Sequence, residues 1–146
     1  MTKYNINNRS VLFKVANKVT TDDDIESIIR LMRYEMHNNV PPGIGLAAPQ
    51  IGLQKRLILI HTVSFQKVIL NPVIIKRSAK QTTSKEGCLS FPGKIVAMKR
   101  YKRVTVEGFD ETWNPVKYKF SNLESMVVQH EIDHLNGVTI GNKKNP

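Results

Sequence analysis

The chain has a single cysteine, Cys88, and no apolar run that approaches membrane-spanning length. One cysteine excludes an internal disulfide and fits a reducing compartment. The opening Met1–Ile6 carries no hydrophobic signal core, so the expectation is a cytoplasmic protein without a membrane segment. Internal repeats and low-complexity linkers are missing as well. With 146 residues, 40% of them hydrophobic, the chain can bury one core and no second, which predicts a single catalytic-size domain over residues 1–146, working as a monomer. Acids are scarce too: 12 against 22 lysines and arginines give a formal net charge of +10, and Lys76–Arg103 holds nine of those cations against Glu86 alone. Such an excess attracts polyanions at low salt, although a charge run is usually a solvated face and lysines on hairpins guard sheet edges. A basic nucleic-acid-binding protein is therefore one reading to weigh, with no recognised binding module beside the charge.

What the chain does have is His-Glu-Ile-Asp-His at residues 130–134. Two histidines four apart on a helix lie nearly above one another and can chelate one divalent ion, while the glutamate beside the first can reach a water. The surrounding segment is helical in pattern. Ser121 and Glu124 have capping-box spacing, Gly137 supplies a left-handed stop, and Leu123, Met126, Val127, His130 and His134 share one stripe. A bare pair of this spacing is common, and its bland reading is a solvated or core histidine pair. A catalytic ion usually takes three protein ligands, so a third donor is required. Cys88, in Glu86-Gly87-Cys88-Leu89-Ser90, is one candidate, and a buried small hydrophobe is its alternative reading. A further segment, Gly43-Ile44-Gly45-Leu46-Ala47-Ala48-Pro49-Gln50, lets another backbone approach closely and ends on one amide side chain. It lacks the lysine and following amphipathic helix of a nucleotide loop.

Taken together and in order, GIGLAAPQ, EGCLS and HEIDH resemble the three signature motifs of the peptide deformylase family, GxGxAAxQ, EGCxS and HExDH, without a mismatch. The resemblance implies Cys88, His130 and His134 as metal ligands and Glu131 as catalytic acid/base. Gln50 and the backbone N–H of Leu89 would form the oxyanion site. The implied ion is Fe²⁺, with Zn²⁺ or Ni²⁺ as substitutes, and the implied substrate is the N-formylmethionyl end of a nascent polypeptide. A peptide would add as a strand along Gly43, Ile44 and Gly45, and its methionine side chain would enter a pocket of Ile44, Leu123, Met126 and Val127. Arg100 falls where the family has an arginine near the substrate. Glu86, Ser90 and Asp133 read as residues that orient ligands or brace the motif strands. A zinc-type metallopeptidase shares the His-Glu-x-x-His helix but usually takes a carboxylate or a third histidine where this chain offers a cysteine.

Thr21 can cap a helix from Asp22 to His37, ended by Asn38, Asn39 and the Pro41-Pro42 pair. Short β-rich stretches follow at Leu57 to Thr62, Lys67 to Ile75, Arg103 to Phe109 and Val116 to Phe120. Strands in runs with a helix at each end predict an α+β fold, with antiparallel β-sheets packed around a central metal-binding helix and one N-terminal helix. Two departures from the family stand out. No C-terminal helix fits in Val138 to Pro146, so the chain resembles either a shortened form, as some phage-encoded members are, or a trimmed one. Glu124 and Ser125 stand where small or apolar residues are usual. Family members contact the ribosome through that helix, which leaves Lys76 to Arg103 as the visible candidate for any ribosome or rRNA contact.

Overall fold

In the computed structural model, which describes residues 11–39 and 43–141, the run Leu57-Ile58-Leu59-Ile60 is buried along its whole length. Successive strand residues point to opposite faces, so an unbroken buried run needs cover on both. The elements that provide it run α1 (Ile25–His37), β1 (Gly45–Ala47), β2 (Leu57–His61), β3 (Gln66–Arg77), β4 (Gln81–Cys88), β5 (Phe91–Tyr101), β6 (Arg103–Phe109), β7 (Pro115–Ser121) and α2 (Asn122–Leu135). Five strands form one antiparallel sheet in the order β1-β2-β3-β6-β7, and β4 and β5 form a separate hairpin. Leu57 and Leu59 face α1, where they pack with Ile29, Met32 and Met36. Ile58 and Ile60 face α2, with Val104, Val106, Phe120, Val128, Ile132 and Leu135. The architecture is α+β, as the sequence implies.

The hairpin closes over the other side of α2. Gln129 accepts a hydrogen bond from the Tyr101 N–H at 3.0 Å and donates to the Tyr101 carbonyl at 2.8 Å, so both backbone groups at the end of β5 are held by one amide side chain. Ser125 also donates to that carbonyl, at 2.8 Å. The polar Ser125 that departs from the family pattern is thus buried in a helix-to-hairpin joint. A third cluster of Leu12, Phe91, Met98 and Ile140 packs beneath the hairpin, with Cys88 and Val96 against it. The helix that carries the histidines is therefore fixed on one side by the large sheet and on the other by the strand pair that carries the cysteine.

Several local expectations need correction. Helix α1 begins at Ile25 and its cap is Asp24, whose carboxylate accepts from the Ser27 N–H and hydroxyl. Thr21 does not cap, because the preceding turn is already closed by Thr20 and Asp23, with Asp23 tied to Lys55 at 2.9 Å. Asn38 ends the helix through bonds to the Tyr34 carbonyl, while Pro41-Pro42 lies outside the described residues. The Ser121 side chain makes no capping bond. Glu124 instead accepts from Thr62 and Ser64 at the β2–β3 turn, so its carboxylate is not available to the helix start. Gly137 is left-handed, as expected, at φ 74°. The expected strands are present with slightly different ends, but β4 and β5 were not anticipated as strands. The metal-binding helix α2 is itself the C-terminal helix of the described chain. Residues 138–141 after it form no helix, and 142–146 lie outside the described residues.

Candidate active site

Strand β4 ends at Cys88 after an irregularity between Glu86 and Cys88, and Cys88 pairs directly with Phe91, so Leu89 and Ser90 form a tight turn. That turn aims the thiol at α2. Cys88 Sγ lies 3.4 Å from His134 Nε2, and the ligand atoms of Cys88, His130 and His134 all fall within 4.8 Å of one another. The two imidazoles, four residues apart on the helix, stand edge to face with centroids 5.1 Å apart.

Behind the histidines lies a line of buried charge. His130 Nδ1 is 3.0 Å from Glu86 Oε1, so that nitrogen carries the proton and donates, which leaves Nε2 to bind outward. Arg100 grips both Glu86 oxygens, at 2.7 and 2.8 Å, and reaches Asp133 at 2.6 Å. Burial opposes charge on Glu86, but Arg100 and His130 outweigh it and hold its pKa down at about 2. Arg100 is only 2% exposed and is absent from the cavity wall. The expectation that it contacts substrate is therefore corrected: its guanidinium faces inward because the buried Glu86 and the half-buried Asp133 require a partner there. Glu86, Ser90 and Asp133 fall among the bracing contacts, as expected of them.

Gln50 is oriented just as tightly. Its Oε1 accepts from the Ala47 N–H at 2.9 Å, which turns its NH₂ toward Ser90 Oγ at 3.1 Å and Cys88 Sγ at 3.5 Å. Glu131 is 4% exposed, and its Oε1 has no hydrogen-bond partner among the described residues. Burial is the main reason its pKa is pushed up, to about 7. Burial also works against a proton on His130, but Glu131, the Cys88 thiol and Glu86 outweigh it and push that pKa up to about 10. Burial, with His130 and Arg100, drives the pKa of His134 well down. A thiolate and two outward ring nitrogens, converging at these distances, fit a divalent transition metal of the zinc or iron type.

These groups sit in a cavity of about 540 Å³. The four residues expected for the methionine pocket, Ile44, Leu123, Met126 and Val127, line it, as do Gly43 and Gly45 of the expected peptide-pairing edge. Leu89 lines it too, with Gln50, Cys88, His130 and Glu131, whereas His134 lies beneath at 0% exposure. The sequence reading missed the opposite wall, which Phe91, Pro92 and Ile95 supply. The signal for it was Pro92-Gly93 just after EGCLS, a pair that marks a chain reversal there, although the turn itself is Leu89–Ser90 and Pro92-Gly93 lies at the start of β5.

The role of the buried charges can be measured. Replacing Arg100 with methionine should destabilise the fold by about 3–5 kcal/mol, because Glu86 and Asp133 lose a buried partner. Metal affinity should fall by about 10-fold to 100-fold as His130 loses its orientation. Urea unfolding and a competitive chelator titration read the two effects; an unchanged unfolding midpoint would contradict the buried-pair account.

The family model described as Polypeptide deformylase matches residues 2–146. A peptide deformylase of Karelsulcia muelleri is 43% identical over 119 residues, covering 78% of this chain and 62% of that protein, so the chain spans less than two thirds of that relative's length. The crystal structure of the deformylase of a Vibrio parahaemolyticus bacteriophage in complex with actinonin superposes with a TM-score of 0.87 at 38% identity, covering 94% of this chain and 99% of that one. The Acinetobacter baumannii class I type b enzyme, bound to Met-Ala-Ser, gives a TM-score of 0.86 at 25% identity over 99% of this chain and 98% of that one. Among the described residues no helix is long and apolar enough to cross a membrane. Nothing in these relationships supports the metallopeptidase reading or a vestigial metal site.

Proposed function

The chain belongs to the polypeptide deformylase family, and from that premise we propose that it hydrolyses the formyl group from N-formylmethionyl peptides, as one cytoplasmic catalytic domain over residues 1–146. The observation that carries this reading is the convergence of the Cys88, His130 and His134 donors within 4.8 Å, beside an unpartnered buried Glu131 oxygen in an apolar cavity. Cys88 Sγ and the Nε2 atoms of His130 and His134 would hold one divalent ion, with Fe²⁺ the native choice that the family implies. When bound, such an ion polarises a carbonyl and lowers the pKa of water toward neutrality.

The rest of the chemistry belongs to side chains. Glu131 accepts a proton from the attacking water at its buried carboxylate, and burial has already tuned its pKa toward the working pH. As the formyl C–N bond breaks, Glu131 returns that proton to the departing nitrogen, and formate and a free amino terminus leave. The Gln50 NH₂ and the Leu89 N–H are the donors offered to the developing oxyanion. Ala47 fixes the other end of the Gln50 amide, so its NH₂ stays at the site and exchanges the long 3.5 Å contact with Cys88 Sγ for the oxyanion. The wall of Ile44, Leu123, Met126 and Val127 takes the methionine side chain.

Gly45 tests how tightly Glu131 is placed. A Cβ there would lie 2.6 Å from Glu131 Oε2 and 2.8 Å from Val127 Cγ1. Gly45→Ala should therefore lower kcat/KM about 10-fold to 100-fold by displacing the carboxylate, with metal content unchanged. Activity equal to that of the parent would mean that Glu131 moves without consequence.

The deciding experiment is formate release from formyl-Met-Ala-Ser with iron, nickel and zinc forms prepared anaerobically. All three should turn over. The iron form alone should lose activity in air, since a half-buried thiolate that lines the cavity beside a redox-active ion oxidises. No formate with any metal would overturn the proposal.

A further inference from the structure

We propose that Lys85 and Lys94, on the rim of the cavity, make this site selective for formyl peptides with an acidic side chain at the second or third residue. The proposal rests on the deformylase reading of the cavity and adds a substrate preference to it. The apolar wall accounts for the first side chain, but a polypeptide continues beyond it. An extended chain advances about 3.3 Å per residue, so its next residues pass over the mouth, which β4 at Ser84–Gly87 and the irregularly paired start of β5 at Pro92–Ile95 form on one side.

The charge of that mouth has one sign. The carboxylates that line the cavity are Glu86 and Glu131. Glu86 is consumed by Arg100 and His130, and Glu131 is buried at the reacting end. Lys85 and Lys94 also line the cavity, are exposed, and make no ion pair among the described residues. The Lys94 ammonium lies 5.9 Å from the centre of the Phe91 ring, itself part of the cavity wall. That contact holds the charge at the mouth. Lys99 adds a like charge on the same hairpin, paired across from Thr83. An acidic side chain meets attraction at this rim, and a basic one meets repulsion, so discrimination comes from both directions.

Exposed pairs are weak individually, so the expected preference of an aspartyl over a lysyl peptide is about threefold to tenfold at low salt. The test compares kcat/KM of the metal-loaded protein for formyl-Met-Ala-Ser, formyl-Met-Asp-Ser and formyl-Met-Lys-Ser, and for the same charges moved to the third residue. The order should be Asp, Ala, Lys at one or both positions. It should flatten in about 0.5 M salt, where screening is strong, and invert in the double variant Lys85→Glu/Lys94→Glu. Equal values for the aspartyl and lysyl peptides at low salt would overturn the proposal, as would a preference that the double variant leaves unchanged. Nuclear magnetic resonance titration with the product peptides Met-Asp-Ser and Met-Lys-Ser gives a second readout that needs no turnover. If no formyl peptide releases formate, the deformylase reading fails. The rim proposal then stands on tighter Met-Asp-Ser binding that inverts in the variant, and falls if the two peptides bind alike or not at all.

Discussion

Glu131→Gln should retain the metal and the fold while kcat/KM for a formyl peptide falls by about 10²-fold to 10⁴-fold, the usual contribution of a positioned acid/base. Glutamine has the same shape, so the close approach to Gly45 that confines this side chain persists. What disappears is the capacity to accept a proton and give it back. The stability of the variant should move the other way. Burial is the main opponent of charge on Glu131, and an amide removes that opposition, so the melting temperature should be equal to or above that of the parent. Activity lost together with metal would mean that Glu131 supports the binding site rather than the chemistry. Activity within a few-fold of the parent would remove Glu131 from the mechanism altogether.

The sequence was most legible where chemistry requires rare residue types. Cys88, His130, His134 and Glu131 stood out because thiols and imidazoles are few in this chain, and their spacing on a helix and beside a turn is hard to produce otherwise. Ile44, Leu123, Met126 and Val127 could be grouped by helical spacing and by proximity to a motif, and the fold does bring them to one wall. The β4–β5 hairpin escaped notice for a physical reason. Its inward face mixes the buried polar Ser84, Glu86 and Arg100 with Met98 and Val96, and its other face carries Lys85, Ile95 and Lys99. Apolar alternation, the usual mark of a half-buried strand, is thus interrupted. Arg100 was misplaced for the same reason, since a basic residue in a lysine-rich run looks exposed until its two carboxylate partners are known. Glu124 shows the remaining limit. The spacing of a capping box was present, but Thr62 and Ser64, distant in sequence, offered its carboxylate better partners.

Cys88→Ser should give a folded protein that binds no metal after dialysis and releases no formate. A serine hydroxyl does not ionise near neutral pH, so the site loses its anionic, soft donor and keeps only two neutral imidazoles. Folding should survive, because the smaller hydroxyl can still accept from the Gln50 NH₂, and Gln50 remains fixed through Ala47 and Ser90. The parent should melt higher with metal than without it, since any ligand bound only by the folded state stabilises that state. In Cys88→Ser that gap should close, with a melting temperature near that of the metal-free parent. Stoichiometric metal in the variant by native mass spectrometry would show that the third donor lies elsewhere. Cys88→Asp sharpens the comparison: a carboxylate ionises and can bind zinc, so this variant should recover part of the zinc affinity that serine abolishes, whereas a purely structural role for the thiol predicts equal behaviour of the two.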